Sequence, residues 1–300
     1  MPEPSSTVTQ HQRELNAGER FAFGKNWTEF LRGLNETRIE LAESSLMRML
    51  DRTNLDGLRF LDVGSGSGIM SLAAYRLGAQ VHSFDFDPES VTCTENLREY
   101  CRSASSAGEV DKHGWQIDTG SVLDSTYLSN LGRYDIVYSW GVLHHTGAMW
   151  QALENVVETV ADDGLLYIAI YNDQGGMSNR WRLIKRLYNK LPDVLRIPYA
   201  MLIMGPRELK FLLLSCLSGR PARYFANIRD YAESSTRGMS YWRDLLDWVG
   251  GYPFEVAKPE EVIDFYLSCG FELQKLKTCA GSIACNEFVF RKARRERALR

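Results

Sequence analysis

A chain of 300 residues with 44% hydrophobic content can fill the core of one large α/β domain with an elaboration. A formal net charge of -3 gives no support for a general polyanion-binding surface. The six cysteines contain no Cys-x-x-Cys pair, which argues against a zinc knuckle and for a reducing compartment; Cys279 and Cys285 are poorly spaced for a metal.

The N-terminal stretch Met1 to Gln12 is polar and lacks the basic and apolar regions of a signal peptide. No apolar run approaches membrane-spanning length, and the longest, Ile197 to Pro206, contains two prolines. The expectation is a cytoplasmic protein with no membrane span. Arg20 to Leu31 is rich in aromatic residues and precedes a helical pattern over Asn35 to Leu50. The segment reads as a helix over the sheet edge; the alternative is a lid in which Phe21 to Trp27 covers a ligand.

Leu58 to Val63 reads as a buried strand. Gly64, Gly66 and Gly68 follow, and then a helix from Ile69 to Leu77 ended by Gly78. Such a turn lets a ligand lie on the backbone, facing the N–H groups of the helix N-terminus. A second strand, Gln80 to Asp85, leads to Asp87-Pro88-Glu89, an N-cap with proline in the first turn. Further strands are expected at Trp115 to Thr119, Tyr134 to Ser139 and Leu165 to Tyr171, with a helix over Gly147 to Val160. Pro259 to Cys269 reads as a last helix, and Phe271 to Leu276 and Glu287 to Arg291 as two more strands. This alternation predicts a Rossmann-like, seven-stranded, mostly parallel α/β sheet with helices on both faces.

Asn172 to Ala257 departs from that alternation. It reads as a helical cap insertion: Asn179 to Leu191, a pair of helices broken at Gly205-Pro206, then Tyr224 to Glu233 and Tyr241 to Val249. A cap at the carboxyl ends of the strands shapes a substrate pocket; a membrane-surface or dimer contact is the alternative. The expected organisation is 1–57 N-terminal helical segment with the lid as its alternative role, 58–171 core, 172–257 cap, 258–291 last helix and strands, and 292–300 basic tail.

The loop spacing is Gly-x-Gly-x-Gly, whereas dinucleotide enzymes use Gly-x-Gly-x-x-Gly; here their third glycine would be Ile69. Asp62, two residues before the loop, would repel a pyrophosphate and suits a ligand end bearing an ammonium group. Asp85, ending the second strand, can accept both ribose hydroxyl protons, and Phe86 can stack on an adenine.

With Gly120-Ser121-Val122 and Tyr134-Asp135-Ile136-Val137-Tyr138-Ser139-Trp140-Gly141-Val142-Leu143-His144-His145, these motifs resemble the ordered set of class I S-adenosylmethionine-dependent methyltransferases. The pattern is most similar to the ubiquinone and menaquinone methylases. The resemblance covers Leu58 to Tyr171 and not the cap. It implies S-adenosylmethionine as cofactor, held by Asp62, Gly64, Gly66, Gly68 and Asp85, with Phe86 placed by the reading above against the adenine. It also implies that the Val122 N–H meets adenine and that the backbone at Trp140 and Gly141 borders the methionine end. Ser121 stands where many relatives carry an aspartate, with Asp124 as a substitute acid.

Methyl transfer from a sulfonium requires alignment and exclusion of water, with a base only where the nucleophile must lose a proton. His145 is the first candidate base, His144 the second and Asp173 the third; each has the alternative of holding its loop by hydrogen bonds. No metal is expected. The leading function is methylation, most often of an oxygen, on a small-molecule acceptor with a lipid-like, aromatic or sugar part. A tRNA or protein methyltransferase, an NAD-dependent oxidoreductase and a non-catalytic cofactor-binding module are the alternatives; the basic run Arg291 to Arg300 is the one feature favouring nucleic acid.

Overall fold

The computed structural model describes residues 6–104, 114–231, 241–282 and 284–294. The strands are β1 (Arg59–Val63), β2 (Gln80–Asp85), β3 (Trp115–Thr119), β4 (Tyr134–Trp140), β5 (Val160–Tyr171), β6 (Phe271–Lys277) and β7 (Cys285–Lys292). They form one sheet in the order β3-β2-β1-β4-β5-β7-β6, with β7 antiparallel to both neighbours and the other pairs parallel.

The central strands are apolar on both faces because helices cover both. Along β1 and β4 alternate side chains serve opposite cores. Leu61, Val63 and Val137 face α6 (Ser125–Leu131), α7 (Met149–Val157) and α12 (Pro259–Ser268). Phe60, Ile136 and Tyr138 face α3 (Glu36–Leu50), α4 (Ile69–Arg76) and α5 (Pro88–Ala104). Asn35 caps α3 through its side chain, which accepts the Arg38 N–H at 3.0 Å.

Strand order reverses between β1 and β4. The crevice at their carboxyl ends is the place where ligands bind in open α/β sheets. The two ends are tied together, since Ser139 Oγ donates to the Val63 carbonyl at 3.0 Å.

The cap consists of α8 (Gly176–Lys190), α9 (Asp193–Leu217), α10 (Pro221–Arg229) and α11 (Tyr241–Gly250). Its own small core joins Tyr188, Ala200, Met204, Leu245 and Val249. The break expected at Gly205-Pro206 does not occur: α9 runs unbroken through both Pro198 and Pro206. An interior proline costs about 3 kcal/mol through its missing N–H and its ring. Packed anchors on either side, Met204 before and Glu208 after, hold the axis, with Glu208 accepting from Tyr224 at 3.1 Å and from Tyr241. The helix expected over Tyr224 to Glu233 starts earlier, at Pro221, and its expected end lies outside the described residues.

Lys185 pins α8 to α11 and the last residues of the cap. It is fully buried, donates to the Trp248 carbonyl, and places its ammonium 4.6 Å from the Trp248 ring and 4.9 Å from the Phe254 ring. The rings and the carbonyl replace the solvation that burial removes.

Two further helices, α1 (Ser6–Asn16) and α2 (Phe23–Arg32), precede α3; α1 takes up much of the polar N-terminal stretch. Of the basic run from Arg291, residues 295–300 lie outside the described residues, and Arg294 pairs with Asp163.

Candidate active site

Gly64, Gly66 and Gly68 all adopt positive φ, at 82°, 56° and 79°. A side chain on any of them would meet protein. A Cβ at Gly64 would lie 2.4 Å from Val142, at Gly68 2.9 Å from Thr94, and at Gly66 3.0 Å from the Trp27 indole. The glycines therefore serve close packing of β4, α5 and α2 around the loop as well as access for a ligand. Gly64→Ala should lose about 2–5 kcal/mol of stability, combining left-handed strain with overpacking. Gly57→Ala is the control: φ is 71° with nothing within 4 Å, so it should cost only the strain. Denaturant melts of the two variants compare them.

Asp62 lies behind the loop. It is buried, accepts from Ser71 Oγ at 2.5 Å, and its carboxyl is pushed up to about 7 by burial, opposed by that hydrogen bond. That hydrogen bond fastens β1 to α4.

Asp85 stands at the loop itself. Its two oxygens accept the backbone N–H groups of Gly66 and Asp87, each at 2.9 Å. Burial and the neighbouring Asp87 carboxylate push its carboxyl up to about 7. Asp87 acts as the expected cap, accepting the Glu89 N–H at 2.9 Å. Its other oxygen accepts the Gly24 N–H at 2.8 Å and so ties α2 down.

Phe86 is enclosed by residues from the N-terminal segment. The Arg20 guanidinium lies 4.6 Å above its ring, and His11 meets its edge at 5.4 Å. Arg20 also donates to the His145 carbonyl at 3.1 Å, bridging the ends of β2 and β4. His11 Nε2 is buried with no hydrogen-bond partner among the described residues, 3.7 Å from Asp87. An unsatisfied ring nitrogen, two carboxylates and an aromatic face at one glycine loop are the polar and stacking groups that a nucleoside with a charged tail needs.

The third motif forms a tight turn. Ser121 Oγ accepts the Leu123 N–H at 3.2 Å, the Val122 carbonyl accepts from Asn155 at 2.9 Å, and Asp124 caps α6 by accepting the Tyr127 N–H at 3.0 Å. Asp124 is thus engaged in helix capping.

Beyond β4, Leu143–His145 makes one 3-10 turn, with Trp140 half-buried at the strand end. The two histidines are held differently. His144 is fully buried, and its Nδ1 accepts the Tyr171 N–H at 3.4 Å. His145 Nδ1 donates to the Pro253 carbonyl at 2.5 Å, which leaves Nε2 as the basic nitrogen of a neutral ring. The ring packs against Phe23 at 4.9 Å. Asp173 Oδ1 accepts the Gly175 N–H at 2.8 Å and shapes the turn into α8.

The last residues of the cap clamp this turn. Glu255 donates its N–H to the His144 carbonyl at 2.9 Å, and its carboxylate accepts the Met149 N–H at 3.1 Å. The N-terminal segment closes the other side: Phe21 N–H donates to the Tyr252 carbonyl at 2.8 Å and Asn26 donates to Asp247 at 3.3 Å. In the cap a cavity of about 970 Å³ is lined by Trp181, Phe211, Tyr224, Tyr241 and Trp248, among others, with Arg207 and Arg223 at its wall. Trp248 meets Tyr171 at 5.7 Å, and Tyr171 lies 4.0 Å from His144. Among the described residues, no group of three His, Cys, Asp or Glu side chains could hold a metal.

Sequence reasoning missed His11, Pro253 and Glu255, which nothing local marks; Arg20 and Trp27 fall in the aromatic-rich stretch read as a helix over the sheet edge or as a lid.

The sheet order, the glycine loop after β1 and the acid ending β2 define the class I S-adenosylmethionine-dependent methyltransferase fold. A family model described as "Methyltransferase domain" matches residues 34–198, and the chain belongs to that family. The ubiquinone biosynthesis O-methyltransferase of Xanthomonas campestris pv. campestris (strain B100) is 27% identical over 179 residues, covering 57% of this chain and 66% of that protein. The ribosomal protein L11 methyltransferase of Bacillus velezensis is 28% identical over 142 residues, covering 44% of this chain and 45% of that protein. The matches thus span just under two thirds and just under half of those relatives. The magnesium protoporphyrin IX methyltransferase of Synechocystis PCC 6803, solved with bound SAM, superposes with a TM-score of 0.51 at 10% identity, covering 98% of this chain and all of that one, a likeness of fold.

Proposed function

We propose that the protein methylates an oxygen of a small acceptor with a lipid-like, aromatic or sugar-containing part, with His145 as general base. The observation that carries this reading is the anchored His145 ring, its Nδ1–H fixed on Pro253 beneath a cap that contains an aromatic-walled cavity. In this reading Asp85 accepts the ribose hydroxyls, and the backbone of Gly64, Gly66 and Gly68 carries the ribose and methionine parts. Phe86 and the Val122 N–H flank the adenine, Ser121 holds their turn, and Trp140 and Gly141 border the methionine end. Asp62 supports the loop from behind, and Asp173 fixes the entry to the cap.

Bound there, S-adenosylmethionine supplies a methyl group on a sulfonium, whose departure leaves a neutral thioether. His145 Nε2 takes the proton of the acceptor hydroxyl, so that the oxygen attacks with its charge uncovered. His144 keeps the turn in place. The cap and α2 exclude water and align the acceptor, which is the larger task in this chemistry. The six cysteines are all free, which suits the cytoplasmic location that goes with this reading.

The cavity assignment is tested at Trp248. Trp248→Ala opens the wall between the cavity and Tyr171, so KM for the acceptor should rise at least about tenfold. S-adenosylhomocysteine affinity by calorimetry should stay within twofold. An unchanged KM moves the acceptor elsewhere.

A further inference from the structure

Helix α9 carries large apolar side chains into solvent along its whole length. Val194, Ile197, Met201, Leu209, Leu213 and Leu217 recur at steps of three or four residues, interrupted only at Gly205. Val194 is 80% exposed and Leu217 84%. The neighbouring α8 exposes Leu183 and Leu187 between Arg180, Arg186 and Lys190. The inward sides of both helices are satisfied by the cap core, so the outward apolar side chains serve no packing within the fold.

The charge on this part of the chain differs sharply from the rest. Residues 176–229 contain eleven Lys and Arg against two acids, Asp193 and Glu208, a net +9 within a chain of net -3. Part of this charge is spent within the cap, since Lys185 is buried and Arg196, Arg207 and Arg229 pair with Asp193, Glu208 and Asp230; Arg180, Arg186, Lys190, Lys210 and Arg220 are exposed. An apolar face rimmed by Lys and Arg is the pattern of a helix lying in the plane of a lipid interface, with basic side chains reaching the headgroups. A second copy of the chain would bring like charge against like charge. Among the described residues no helix is long and apolar enough to cross a membrane, so the arrangement fits a surface contact.

We propose that α8 and α9 form a docking surface that lays the cap on an anionic lipid bilayer. The surface is separate from the glycine loop and the histidine turn, and it stands whatever acceptor the enzyme takes.

The test is co-sedimentation of the full chain with vesicles of phosphatidylcholine and phosphatidylglycerol in equal parts, against vesicles of phosphatidylcholine alone. Binding to the anionic vesicles should be at least about tenfold tighter and should weaken with added salt. Leu209→Glu with Leu213→Glu should reduce it about tenfold or more, as should Arg186→Glu with Lys190→Glu. Circular dichroism and S-adenosylhomocysteine affinity confirm that each variant is folded. Equal partitioning to both vesicle types overturns the proposal. So does a solution dimer that the Leu209→Glu/Leu213→Glu variant dissolves, because the face then belongs to a second copy. Lipid binding is read without methyl transfer, so its failure leaves the proposed activity standing.

Discussion

Asp85→Ala should lower affinity for S-adenosylhomocysteine by about a hundredfold or more in calorimetry. The loss combines two hydroxyl-to-carboxylate hydrogen bonds, each about 1.5–3 kcal/mol, and each 1.4 kcal/mol is tenfold in affinity. The same carboxylate receives the Gly66 and Asp87 N–H groups, so alanine also loosens the loop. Asp85→Asn preserves volume and one of the two acceptors, so it should loosen the loop less than alanine does while still losing most of the affinity. NAD should bind neither protein; NAD binding without S-adenosylhomocysteine binding would overturn the cofactor reading. Affinity within a few-fold in both variants would take Asp85 out of the ribose site.

The pH dependence follows from the raised carboxyl. Burial, then Asp87, pushes Asp85 up to about 7. The ionised form accepts both hydroxyl protons, so affinity should rise with pH, by up to about tenfold per unit below 7, and level off above it. Asp85→Asn should flatten that profile. Stability without ligand has the opposite sign. An unfolded aspartate titrates near about 3.9, so the folded protein holds this proton more tightly. The stabilisation is complete below about pH 4 and is lost as pH rises through about 7. Asp62, pushed up to about 7 by burial, adds in the same direction. Thermal melts across that range should show Asp85→Asn losing part of the slope.

His145→Ala should cut turnover on a hydroxyl acceptor by about a hundredfold or more while leaving S-adenosylhomocysteine affinity within a few-fold. The geometry separates it from its neighbour. The Pro253 carbonyl holds the His145 proton on Nδ1, whereas His144 has its Nδ1 turned to the Tyr171 N–H in a fully buried position. His144→Ala should therefore act through stability, by the cavity and the lost bond, about 2–4 kcal/mol. With an alcohol acceptor that stays protonated across the assay range, raising the pH should not restore turnover to His145→Ala, but an acceptor already ionised at the assay pH should recover much of the rate. Full turnover in His145→Ala with the neutral acceptor would reduce that residue to a loop support.

Much of the fold could be read from local pattern. Period-two and continuous apolar runs marked the seven strands, and Asn35, Asp87-Pro88 and Gly78 marked helix ends, because caps and burial patterns act within a few residues. The glycine loop was legible for the same reason: Asp62, the three glycines and Asp85 lie within one strand–turn–helix–strand unit.

What could not be read depends on contacts between distant segments. Trp27 lies on Gly66, Gly24 on Asp87 and Arg20 on Phe86, across roughly forty to seventy positions. The distinction between His144 and His145 comes from Tyr171 and Pro253, the latter 108 residues on. Gly205-Pro206 reads locally as a break, yet α9 continues because packing on both sides outweighs one lost hydrogen bond. The sequence by itself determined the class of sheet, the glycine loop and its acids, since their geometry is set by neighbours in the chain. Only the tertiary structure decided how each histidine is held, which segment packs on the glycine loop, and which side of α8 and α9 is left facing outward, since each is a choice among partners that only the folded chain brings together.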